Sequence, residues 1–320
     1  MTNRKVKDDS FKLIFGTPEL FAEFLKDYIP VDILKNVTAS DIEDLSERFI
    51  PLFQDSKDSD TVKRIKLKDN PPLYVIAILE HQSEVNFRTS FRLLQYITLV
   101  LAEYEKEADK EYEKEHKGKK TKFSATKGFK YPPVLPMVFY DSDRNWTAKT
   151  NFYDKTELKE IFEKYIPKFE YELVRLSDYD KETLISIGGV LSLIMLIDKV
   201  KDTGDMRELS ELPKDYMDKL STGMPPHLRK LVFNVITALL KRINIPDEEI
   251  EKVTENFDER GVQEMFAWAD KYDVQETRRI ARAEQAIAIA KNLLKENMPI
   301  DKIAEVTGLS IEEIERLTLN

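Results

Sequence analysis

Leu73-Tyr74-Val75-Ile76-Ala77-Ile78-Leu79 is an unbroken apolar run that follows Pro71-Pro72 and ends abruptly in Glu80-His81-Gln82. A run this short between turn signals fits a strand buried on both faces better than a free-standing helix. Strand side chains alternate, so Glu80 and Gln82 share one face and His81 takes the other. An acid at the end of such a strand must be paired, protonated or bound to a cation, because an isolated buried charge is costly. Upstream, Lys63-Arg64-Ile65-Lys66-Leu67 reads as a more polar strand, and Lys68-Asp69-Asn70-Pro71-Pro72 as a turn-rich connection. The two strands are expected to pair antiparallel, which brings Asp60, at the start of one, beside Glu80, at the end of the other.

An Asp and a Glu on adjacent strand ends, with a third polar group beside them, can hold a divalent cation. Oxygen ligands suit Mg²⁺, Mn²⁺ or Ca²⁺, which keep waters and accept phosphate oxygens. Such a cation polarises a scissile phosphate and activates water.

Glu80-His81-Gln82-Ser83, followed by Phe91-Arg92-Leu93-Leu94-Gln95-Tyr96, resembles the recombination-promoting nucleases, a family also described as YhgA-like transposases. Asp9-Ser10-Phe11-Lys12, Ser59-Asp60, and Pro132 to Tyr140 with Trp146 shortly after add to the likeness, as does the tail Lys302 to Ser310. The resemblance covers roughly residues 8–175 and the tail. It implies an α/β fold of the PD-(D/E)XK restriction-endonuclease type, a mixed sheet flanked by helices, acting on DNA. It also implies Asp60 and Glu80 as metal ligands, with Asp9 beside them. Gln82 takes the catalytic place where that superfamily usually has Lys. Glutamine orients water but brings no charge. Lys63 or Arg88 is therefore expected to supply the cation, with Arg92 as a further contact to substrate phosphates.

The 320-residue chain can bury a sizeable core, and with no cysteine it has neither disulfides nor thiolate zinc sites. Met1 to Lys7 has no apolar core behind it, and the run from Leu184 to Ile197 is too short and interrupted to span a bilayer, so a soluble cytoplasmic protein is expected. A net charge of −9 argues against a protein that grips nucleic acid with its whole surface, whereas a metal site plus one local basic patch can suffice for transient engagement. Lys117-Gly118-Lys119-Lys120-Thr121-Lys122 is one candidate.

Asp8-Asp9-Ser10 reads as a helix cap, and Thr17-Pro18 as the start of a second helix. Residues 31–55 read as a short helix and a connection. Residues 84–115 form a long helix, whose Phe87, Phe91, Leu94, Ile97, Thr98 and Leu101 are expected on the sheet and whose Arg88, Arg92 and Gln95 form a neighbouring polar stripe. Pro133 and Pro136 confine the strand at 133–140 to a sheet edge or an irregular start. Residues 171–176 make a further strand, and the rest reads as helical.

The expected organisation is a nuclease-like domain over 1–178, a helical region over 179–272, and a C-terminal helix with a helix-turn-helix-like hairpin over 273–320. The hairpin's second helix carries Glu312, Glu313 and Glu315, which repel phosphates, so it is expected to pack within the chain or support a homodimer. The rival readings are a catalytically inactive nuclease fold that binds nucleic acid or protein, and an RNA-cutting enzyme.

Overall fold

A computed structural model describes residues 15–49, 60–80, 85–116, 121–142, 144–202, 205, 209, 212–216, 220, 224–254, 274–296 and 298–318. They fall into two units: residues 1–200 with 212–254, and residues 201–211 with 255–320.

The first unit is built on a five-stranded mixed sheet: β1 (Ile42–Asp44), β2 (Thr61–Ile65), β3 (Leu73–Glu80), β4 (Val134–Tyr140) and β5 (Glu172–Arg175), in that spatial order. β1, β2 and β3 are antiparallel neighbours, and β4 and β5 continue parallel to β3. The apolar run at 73–79 thus forms the central strand, buried throughout as expected. β1 departs from the sequence reading, which placed 42–44 in a connection; its register pairs Glu43 with Arg64 and Asp44 with Lys63, so opposite charges meet across the edge.

The two prolines do not put β4 on an edge: it lies between β3 and β5. The Pro133 carbonyl accepts from the Tyr74 N–H, so by alternation the Pro136 nitrogen faces β5, whose ladder begins only at Met137. The missing donor therefore costs no ladder bond.

Helices cover both sheet faces. On one side α1 (Pro18–Tyr28) buries Phe21 and Phe24, and the Phe24 ring lies 6.0 Å from Phe139 of β4. On the other, α3 (Thr89–Glu115) lays Leu93, Tyr96 and Val100 on Val62, Tyr74, Ile76, Ile78 and Val138. The short α2 (Ser46–Phe49) adds Phe49 to this core and directs Arg48 at Glu103 of α3, 2.7 Å away. Arg64 joins β1 to α3 through Glu43 (2.6 Å) and Glu107 (3.2 Å).

The sheet-facing stripe of α3 is offset from the one expected. Phe87 and Phe91 are 55% and 44% exposed, and Arg92 and Tyr96 are buried in their stead. The cause is a buried carboxylate on this sheet face that requires donors.

After the short α4 (Lys159–Phe162), the chain forms α5 (Lys181–Ile187) and α6 (Gly189–Lys199), separated where Gly188 and Gly189 adopt φ of 76° and 83°. α6 packs on α1: the Tyr28 hydroxyl meets Ser192 Oγ at 2.7 Å, and Glu23 accepts from the Leu191 N–H at 2.9 Å. α7 (Pro226–Arg242) closes the α6 C-terminus by donating from Arg242 to the Asp198 carboxylate (3.0 Å) and the Val200 carbonyl (2.6 Å). α8 (Asp247–Thr254) follows.

In the second unit, α9 (Val274–Lys295), α10 (Ile300–Thr307) and α11 (Ile311–Thr318) meet around Ala290, Ile303 and Ile314. Gly308, at φ 70°, ends α10, and Ser310 with Glu313 opens α11 as a reciprocal cap. The expected hairpin is therefore present and packs on its own preceding helix.

Candidate functional site

The site begins with Asp60, the residue before β2. Val62 faces α3, so two residues back Asp60 takes the same face. It is 3% exposed, and α3 meets it with two residues one helical turn apart. Arg92 Nη2 donates to Oδ1 at 3.1 Å, and the Tyr96 hydroxyl donates to Oδ2 at 3.0 Å. Burial and the neighbouring carboxylate push the Tyr96 hydroxyl far above its usual range, so it stays protonated and acts as a donor. A buried carboxylate is tolerable under these conditions: one charge opposite it and a hydrogen bond on each oxygen.

Glu80 ends β3. Thr61 pairs with Ala77, so continuing the register puts Asp60 opposite Ile78. Position 80 is two residues further on, on the face shared by Ile76 and Ile78. Positions 60 and 80 are thus diagonal rather than direct neighbours across the two strands, a separation of about 7–8 Å between backbones. The Glu80 side chain, and the whole of Gln82 and Asp9, lie outside the described residues.

Lys63 stands elsewhere. Alternation turns it to the α1 face, where it is buried, ion-paired with Asp44 and 5.8 Å from the Phe21 ring centroid. The structure does not bring it to Asp60, and its charge is matched across the β1–β2 register. Arg88 occupies the N-cap position of α3 and is exposed, on the first turn of the helix that carries Arg92.

A further residue at these strand ends has no motif to announce it. Tyr140 is the parallel partner of Glu80, fully buried, with its ring 5.0 Å from that of Trp146. Among the described residues its hydroxyl has no hydrogen-bond partner. Trp146 anchors the loop returning from β4 by donating to the Tyr171 hydroxyl at 3.0 Å. Among the described residues no three His, Asp or Glu side chains are grouped to hold a metal ion, and no helix is long and apolar enough to cross a membrane.

The profile of the family described as "Putative transposase, YhgA-like" matches residues 5–224, which is most of the chain and includes the whole sheet. Among curated proteins, the chain is 25% identical over 142 residues to the "Inactive recombination-promoting nuclease-like protein RpnE" of Escherichia coli (strain K12). That alignment covers 44% of this chain and 41% of the relative, less than half of either. No solved structure matches significantly.

Proposed function

The chain belongs to the YhgA-like putative transposase family, which is related to the recombination-promoting nucleases, and from that premise we propose a metal-dependent endonuclease that hydrolyses phosphodiester bonds in DNA. The observation that carries this reading is the burial of Asp60 on the sheet face of position 80, secured by two donors from one helix. A carboxylate used only for packing would be replaced by an apolar residue at little cost. A held one keeps a fixed orientation at the strand ends.

The donor chemistry fits a hard divalent cation. Asp60 would offer its carboxylate oxygens and Glu80 the further ones, with Asp9 as support. Mg²⁺ or Mn²⁺ held there supplies phosphate polarisation and an activated water. Arg92 offsets one of the two carboxylate charges, so affinity for the cation is expected to be modest. Arg92, rather than Lys63, then supplies the positive charge that Gln82 lacks. Tyr96 orients Asp60, Gln82 orients water, and Arg88 on the first turn of α3 contacts substrate phosphate.

A second reading is favoured by the Arg92–Asp60 ion pair itself and by the relative named as inactive. On that reading the guanidinium satisfies Asp60 in place of a metal, and the chain is a non-cleaving nuclease fold.

Supercoiled plasmid incubated with Mg²⁺, Mn²⁺, Ca²⁺ or EDTA separates the two. The nuclease reading expects cation-dependent nicking by the wild type and its loss in both Asp60→Ala and Glu80→Ala. Folded wild type with no nicking under any condition would establish the non-cleaving reading.

A further inference from the structure

We infer that Phe87 and Phe91, together with the Lys-rich connection between β4 and β5, form a stacking surface for single-stranded nucleic acid that leads to Asp60. The inference rests on the nuclease-fold reading for its direction toward the site, but not on turnover. Phe87 lies in the turn before α3 and Phe91 in its first turn, and both rings are exposed. They are the two aromatic residues that the periodicity of α3 assigns to the core and that the structure leaves in water. Between them lies Arg88, and after Phe91 comes Arg92, which touches Asp60. Residues 85–92 contain two arginines and no acid, in a chain whose net charge is −9.

The connection after β4 extends this surface. Lys155 stands over the Phe87 ring, 5.8 Å from its centroid. Its segment folds back through the Tyr153 hydroxyl, which donates to the Lys159 carbonyl at 3.1 Å. Beyond it, Phe162 and Tyr165 are 47% and 71% exposed, and Lys164 lies 4.9 Å from the Tyr165 ring centroid. Residues 144–170 hold six Lys or Arg against five Asp or Glu, so this stretch escapes the acidity of the chain as a whole.

The alternation of ring and cation decides the occupant. Cores of protein–protein interfaces are depleted in lysine. Surfaces that take single strands interleave aromatic rings, on which unpaired bases stack, with cations that follow the phosphates. Duplex DNA buries its base faces and gains little from exposed rings. Leu158 and Ile161 are exposed on the same connection, which makes self-association the competing use.

The test is fluorescence anisotropy of a labelled oligothymidylate and of a hairpin duplex, in EDTA so that no turnover intervenes. The full-length wild type, Phe87→Ala/Phe91→Ala and Phe87→Trp/Phe91→Trp are compared. The wild type is expected to bind the single strand more tightly than the duplex. The double alanine variant should weaken single-strand binding roughly tenfold or more, and the tryptophan variant should retain it. Because both rings are exposed, the far-UV spectrum should not change. Equal binding by the wild type and the double alanine variant, or no binding by the wild type, overturns the inference. So does an alanine effect confined to self-association in light scattering. Single-strand binding without plasmid nicking would sink the nuclease reading and leave this surface standing; nicking without an alanine effect would do the reverse.

Discussion

Two buried tyrosines on one sheet face make opposite demands of the same substitution. The Tyr96 hydroxyl donates to a buried carboxylate, whereas the Tyr140 hydroxyl finds no partner among the described residues. Removing a donor from a buried charged acceptor costs about 1.5–3 kcal/mol. Tyr96→Phe should therefore lower the unfolding free energy from urea titration by that amount, while Tyr140→Phe should leave it unchanged or raise it. Equal losses in the two variants would mean that the hydroxyls are satisfied alike. Arg92 and Tyr96 were legible as a motif four residues apart, but not as partners of Asp60. The residues are far apart in the chain, and only the packing of α3 on β2 joins them. Tyr140 was legible only as part of an apolar strand. Its standing depends on a parallel register with Glu80, of which a sequence carries no local sign.

At the scale of elements, β1 shows how a short polar segment becomes an edge strand. Asp44 faces Lys63 across the register, and Ser46 donates to the same carboxylate at 2.5 Å through its hydroxyl. Burial works to raise the Asp44 carboxyl, but the bonds from Lys63 and Ser46 outweigh it and hold it below the ordinary carboxylate range. A carboxyl lowered in the folded state adds stability above its unfolded pKa of about 4, and that stability is lost as pH falls through the folded value. Asp44→Asn should therefore be destabilised at pH 7. Its urea midpoint should also fall less than that of the wild type between about pH 5 and pH 3. Parallel curves for the two proteins would assign the acid limb to other groups. The β2–β3 hairpin was readable from the turn residues between a polar strand and the apolar run at 73–79, and so was the start of α1 at Thr17-Pro18. The broken helix at Gly188-Gly189 and the interior place of β4 were not, because both depend on neighbours distant in sequence.

At the scale of the whole molecule, the two units have separate cores. Ile303 is fully buried among Ala290 and Ile314, and it makes no part of the sheet's core. Ile303→Ala should cost about 2–5 kcal/mol, enough to unfold a unit this small, while the main calorimetric transition stays in place. A downward shift of that main transition would show that the units unfold together. Composition and local pattern by themselves determined the α/β class, the central apolar strand, the long helix and the C-terminal hairpin. Those features follow from periodicity and turn chemistry within a few residues. Tertiary structure alone decided which face of α3 meets the sheet, which cation answers Asp60, and that Lys63 serves the opposite face. A buried charge selects its partner through space, and a helix rotates to satisfy that charge before it buries its own most apolar stripe.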